Sequence, residues 1–210
     1  MMTVGASDAY FSDAYTDMVT RTLRAIQKEP NIGVPESIIK VSLPIGVFAQ
    51  GRHGGWTYRM AARKLMERAV FIKFEAVKSH FNVFYTSSNK ILSTDMIEVW
   101  MQSAKAKRRN FGTTKTEINK LRGKAKNIAR KNMRDHFFKR FRVHYQRRND
   151  CIHNCDRPKE VPTSITFAAT KKCIEDFEFL IGEINEELNN QFGIFLTGAG
   201  FSATTRSAVT

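Results

Sequence analysis

The sequence is short of cysteine, of proline and of long uncharged runs, and each shortage removes a class of answer. Three cysteines, an odd number, make no paired framework and suit a reducing compartment. No stretch of about 18 uncharged apolar residues is present, which argues against a membrane-spanning helix. Met1-Met2-Thr3-Val4-Gly5 has neither the basic start nor the apolar segment of a secretory signal. The expected location is therefore the cytoplasm. Acids are also missing in one place: between Lys105 and Arg148 stand 17 Lys and Arg against two acids, Glu117 and Asp135. The remainder holds 17 bases and 18 acids, so this one segment carries the whole net charge of +14.

What is present is enough for one core. With 210 residues, 42% of them hydrophobic, a single domain is expected. Tyr15, Val19, Leu23 and Ile26 recur at helical spacing and predict an amphipathic helix over 12–28. Pro30, Gly33, Pro35, Pro44, Gly46, Gly51, Gly54 and Gly55 predict a long loop, with room for one short strand around Ile38–Val41. From Trp56 to Tyr85 the chain reads as one helix, apolar on nearly every side and so placed centrally. Asp95 and Glu98 open a further helix, and Thr114-Lys115-Thr116-Glu117 is a capping box at the head of the basic region. A long helix follows over 127–153, stopped by Pro158 and Pro162. The last helix runs over 168–190, with Gly193 as its stop and 194–210 as an unstructured tail. The expectation is an all-α bundle of four to five helices with a long Pro/Gly-rich loop near the N-terminus. Residues 1–55 form the first helix and loop, and 56–193 the bundle core.

The concentrated positive charge points to a polyanion. Counterion release supplies affinity for a phosphate backbone, and few acids stand four residues away to neutralise the bases. Lys105, Lys107, Arg108, Arg109, Lys124, Lys126, Arg130, Lys131 and Arg147 are the candidate RNA-binding residues. On a wheel of about 100° per residue, Phe137, Phe138, Phe141, Tyr145 and Ile152 share an arc of about 100°. Arg148 falls inside that arc, about 20° from Phe137. A guanidinium there needs an acid partner, an interface cavity or an anionic ligand. Asn149 and His153, one turn apart, lie at the edge of the stripe. Metal-free RNA cleavage needs a base for the 2′-hydroxyl proton and a cation for the phosphorane, which histidine and arginine supply. Cys151 and Cys155 share a face while His153 points away, so no metal and no cofactor are expected.

Arg148-Asn149-Asp150-Cys151-Ile152-His153 resembles the R-N-x-x-x-H form of the R-x4-6-H motif of the HEPN superfamily. The flanking residues from Arg147 to Arg157 look like that family's motif helix and the turn after it, and Phe74-Glu75 resembles an early helix of its ribonuclease-like branch. The likeness in fold covers about Ala61 to Asn190. The resemblance implies a metal-independent endoribonuclease with Arg148 and His153 as the catalytic pair, supported by Asn149. It also implies a homodimer with a composite site, in toxin–antitoxin or anti-phage defence settings where an antitoxin or larger partner is expected. Another branch carries a modified tyrosine two residues beyond the histidine; here that position is Cys155. The alternative is a catalytically silent bundle of the same kind, serving as an RNA-binding or assembly module.

Overall fold

The computed structural model describes residues 2–40, 54–66, 69–71, 73–86, 88–155 and 165–210, with side chains left undescribed at 54 and 151–155. It is all-helical, with no strand among the described residues. Helix α1 (Met2–Lys28) buries Val4, Phe11, Tyr15, Met18 and Ala25, a stripe repeating every three to four residues. It starts ten residues before the expected Ser12, because Ser7 continues the stripe while looking polar. The expected strand is instead a short helix, α2 (Glu36–Ile39), following Pro35, with Ile38 fully buried. Residues 41–53 of the Pro/Gly loop lie outside the described residues.

The single helix expected over 56–85 is broken. Helix α3 (Gly54–Met66) and helix α4 (Phe74–Phe81) are separated by non-helical backbone at 69–71, and a 3-10 turn over Asn82–Phe84 follows α4. At the break the Phe71 N–H donates to Asp8 Oδ1 of α1 at 2.6 Å, which satisfies a backbone group that a continuous helix would have paired internally. Phe71 and Phe81 are both fully buried beside Phe11. Apolarity all round thus reflects two directions of burial rather than one central rod.

Helix α5 (Thr94–Trp100) is capped by Ser93, whose hydroxyl accepts from the Met96 N–H. Helix α6 (Arg108–Phe111) ends at Gly112 with a φ of 73°, the left-handed conformation glycine adopts without strain. The predicted capping box is formed in full between Thr114 and Glu117, and opens the short α7 (Lys115–Asn119). Helix α8 (Gly123–Cys155) is 33 residues long, and α9 (Phe167–Gly198), capped by Thr166, is 32.

Gly193 does not stop α9, and the expected tail contains a further helix, α10 (Ala203–Val209). A glycine inside a helix costs only about 1 kcal/mol, less than burial of Phe192 and Leu196 returns. Phe201 and Val209 are buried as well, and Arg21 of α1 donates to the Val209 carbonyl at 2.6 Å. Ten α-helices therefore stand among the described residues where four or five were expected.

One cluster of buried side chains runs from Val4 to Val209. Its aromatic centre is α8, whose Phe137, Phe141 and Tyr145 meet Phe74, Trp100, Phe111 and Phe177 at centroid distances of 5.4–6.4 Å. No helix among the described residues is long and apolar enough to cross a membrane. The site described next occupies the C-terminal half of α8, where this aromatic stripe gives way to polar groups.

Candidate functional site

Three turns of α8 carry the candidate residues. Tyr145 is buried, its hydroxyl 3.3 Å from that of Ser7 in α1. One position short of a full turn further on comes Arg148, half-buried, as the wheel requires of a residue on the core side. Its Nη1 donates to Asn149 Oδ1 at 3.2 Å, and no carboxylate among the described residues pairs with it. Instead it lines a cleft of about 240 Å3 with Thr3 and Val4 of α1, His144 and Arg147 of α8, Ile165 just before α9, and Thr170 and Cys173 in the first two turns of α9.

Asn149, though hydrogen-bonded to Arg148, faces elsewhere. It lines a groove of about 500 Å3 with Lys73, Phe74, Glu75, Arg142, Tyr145 and Gln146. Consecutive helical residues point about 100° apart, so the two hollows lie on different flanks of α8. His153 stands on helical backbone near the end of α8; its side chain, like those of Cys151 and Cys155, lies outside the described residues. The structure thus joins Arg148 to Asn149 within one chain.

His144, which the sequence analysis does not single out, belongs to the Arg148 cleft. It packs against the Phe177 ring at 5.9 Å, and its Nε2 is buried without a hydrogen-bond partner among the described residues. Burial pushes its pKa below the ordinary 6.5; Arg140 and Arg147 act in the same direction and Asp176 opposes them. The available signal was its spacing of four residues from Arg148, which puts both on one face. Cys173 across the cleft is held as a neutral thiol, since burial and then Asp176 push its pKa up.

The nine candidate RNA-binding residues divide into two groups. Arg109 is bound to Glu175 at 2.6 Å and to the fully buried Asp176 at 2.8 Å, both on α9. Arg130 is bound to Glu98 at 2.5 Å and also to Asp95, both on α5. Arg108 pairs with Glu117 at 3.1 Å. Burial alone would raise the Glu98 carboxyl, but Lys115 and Arg130 hold it below the ordinary carboxylate value. Glu117 apart, the acids that pair with these three arginines are therefore supplied by α5 and α9. Lys105, Lys107, Lys124 and Lys131 are exposed and Lys126 half-exposed, with no carboxylate paired to them among the described residues. Arg147 is exposed at the rim of the cleft. No family model, no curated protein and no solved structure matches the chain.

Proposed function

We propose that the chain is a metal-independent endoribonuclease of the HEPN kind, acting on RNA in the cytoplasm as a toxin or defence effector. The observation that carries the reading is Arg148: a half-buried guanidinium on the core side of α8, unpaired by any described carboxylate and open to a cleft. In the proposed reaction His153 takes the proton of a 2′-hydroxyl, and the oxygen attacks the neighbouring phosphorus. Arg148 holds the charge that develops on the phosphorane, and Asn149 orients Arg148 through their hydrogen bond. The bond from phosphorus to the 5′-oxygen breaks, and that oxygen leaves with a proton. The products carry a 2′,3′-cyclic phosphate and a 5′-hydroxyl. Lys105, Lys107, Lys124, Lys126, Lys131 and Arg147 would hold the strand.

One chain contributes one copy of the motif, and the reading includes a homodimer in which two motifs line a shared groove; an antitoxin or larger partner would control it. A second reading is favoured by the separation of the hollows reached by Arg148 and Asn149. It makes the same bundle a silent RNA-binding or assembly module. The two are separated by incubating the purified chain with RNA in EDTA. Cleavage that yields cyclic-phosphate ends and falls about 10²–10⁴-fold in Arg148→Ala and His153→Ala supports the nuclease. Binding without cleavage supports the module, and cleavage that survives both substitutions removes the site assignment.

A further inference from the structure

We propose that the cleft between the first turns of α1 and α9 is a phosphate-binding site, with His144 and Arg148 as its side-chain contacts. The inference shares Arg148 with the nuclease reading and deepens it, but binding there requires no turnover.

Four features meet in the cleft. Arg148 brings a fixed positive charge that no described carboxylate neutralises. His144 brings a buried ring nitrogen with no hydrogen-bond partner among the described residues. A polar atom removed from water and left unmade is costly, and an oxygen-rich anion is the ligand that repairs it. Thr3 lies in the first turn of α1 and Thr170 in the first turn of α9, so the N-terminal turns of two long helices, of 27 and 32 residues, border one hollow and add positive potential near it. The rim carries Arg147, a further guanidinium.

The groups facing His144 favour an anion. On α8 they are Arg140, Arg147 and Arg148; on α9 they are Cys173 and Asp176; α1 contributes Thr3 and Val4, and the N-terminal amine adds a further positive charge. Among the described residues Asp176 is the one carboxylate near enough to act on the ring, and it already receives Arg109 and Arg140. Burial first, and then Arg140 and Arg147, disfavour the charged ring. A phosphate would reverse that balance, accepting from Nε2 and favouring the charged imidazole. The volume of about 240 Å3 lies below the usual range for drug-sized ligands, which suits a phosphate group better than a whole nucleotide. The phosphate could be a free ion, a terminal phosphate on an RNA or a phosphodiester within one. All three present the same oxygens.

The test is a titration of the full chain with inorganic phosphate, followed by nitrogen–proton correlation spectra of the histidine rings. Chloride at matched ionic strength serves as the control. A saturable shift of the His144 ring resonances, absent with chloride and weakened about tenfold or more in Arg148→Gln, is the expected result. The His144→Gln variant assigns those resonances, and its circular dichroism checks the fold. Resonances that move no further with phosphate than with chloride overturn the proposal. Sources are sorted with RNA of 2′-O-methyl sugars, which 2′-hydroxyl attack cannot cleave. A preference for a 5′-phosphate over a 5′-hydroxyl that disappears in His144→Gln identifies the terminal phosphate. Equal weakening of both RNAs identifies the internal phosphodiester, and RNA affinity independent of His144 leaves the free ion. Nuclease activity is not read, so loss of cleavage in Arg148→Ala and failure of this site are separate results.

Discussion

Asp176 ties two arginines from different helices to α9. It is fully buried on α9 and receives Arg109 from α6 at 2.8 Å and Arg140 from α8 at 2.7 Å. Replacing it with asparagine leaves two guanidiniums facing a neutral amide. The expected loss is about 2–4 kcal/mol, near the lower end for breaking a buried ion pair because both arginines still reach water. Asp135→Asn, at an exposed carboxylate paired only with its neighbour Arg134, should change stability by less than about 0.5 kcal/mol. Urea unfolding of the two variants checks the contrast, and equal losses would remove Asp176 from its bridging role. Protonation gives a second expectation. His144 has its folded pKa below 6.5, so its contribution to stability is present above that value and is lost as pH falls through the folded pKa. Glu98 and Glu175 are likewise lowered, and their contributions are present above 4.5 and lost at more acid pH. Stability should fall in two stages on acidification, and His144→Gln should abolish the upper stage alone, as melting curves across pH will report.

At the scale of the element, α8 is both core and charged surface, and its cations do different jobs. Lys124 and Lys131 are exposed, whereas Arg130 is tied to Glu98 and Asp95 of α5. Lys124→Glu and Lys131→Glu should weaken RNA binding about equally for all sequences and flatten the dependence of log affinity on log salt, with melting temperature unchanged. Arg130→Glu should lower the melting temperature, since it sets a third carboxylate against two. Filter binding at several salt concentrations, run beside thermal melts, separates the classes; stable binding in the lysine variants would make that face a solubility feature. The division could not be read from the sequence, because Glu98 and Asp95 lie more than thirty positions from Arg130 and helical spacing rules report only neighbours within a turn. The same reason hid the break before Phe74, which depends on Asp8 reaching Phe71 from 63 positions away. Local chemistry was legible. The Thr114–Glu117 capping box, the apolar stripe of α8 and the core-side placement of Arg148 each follow from residues within a turn or two. Separation of Arg148 from Asn149 was legible too, being the 100° step of any helix, but the shared motif drew attention to proximity along the chain. Gly193 misled because a glycine marks a helix end only when nothing apolar beyond it remains to be buried, and here Leu196, Phe201 and Val209 do.

For the whole molecule, the proposed phosphate chemistry would have few groups to draw on within one chain. Within one chain Arg148 reaches the cleft beside α1 and α9, and Asn149 reaches the groove beside Lys73 and Glu75. Both sit about two turns before the end of α8, at Cys155. A two-fold axis past that end would present the same patch from each subunit and double the set of Arg148, Asn149 and His153 around one groove. Assembly would bring two chains of net charge +14 together, so the contact should tighten as salt screens their repulsion or as RNA neutralises it. A nuclease that depends on such a shared groove loses specific activity on dilution, in step with dissociation. A binding module with one site per chain keeps its affinity at any concentration. Mass in solution, measured from micromolar to nanomolar protein beside RNA cleavage at each point, therefore distinguishes them. The expected result is a dimer at moderate salt whose activity per chain declines as monomers accumulate; a monomer that cleaves at full rate at nanomolar concentration would defeat the composite site and leave Arg148 to act with the groups of its own chain.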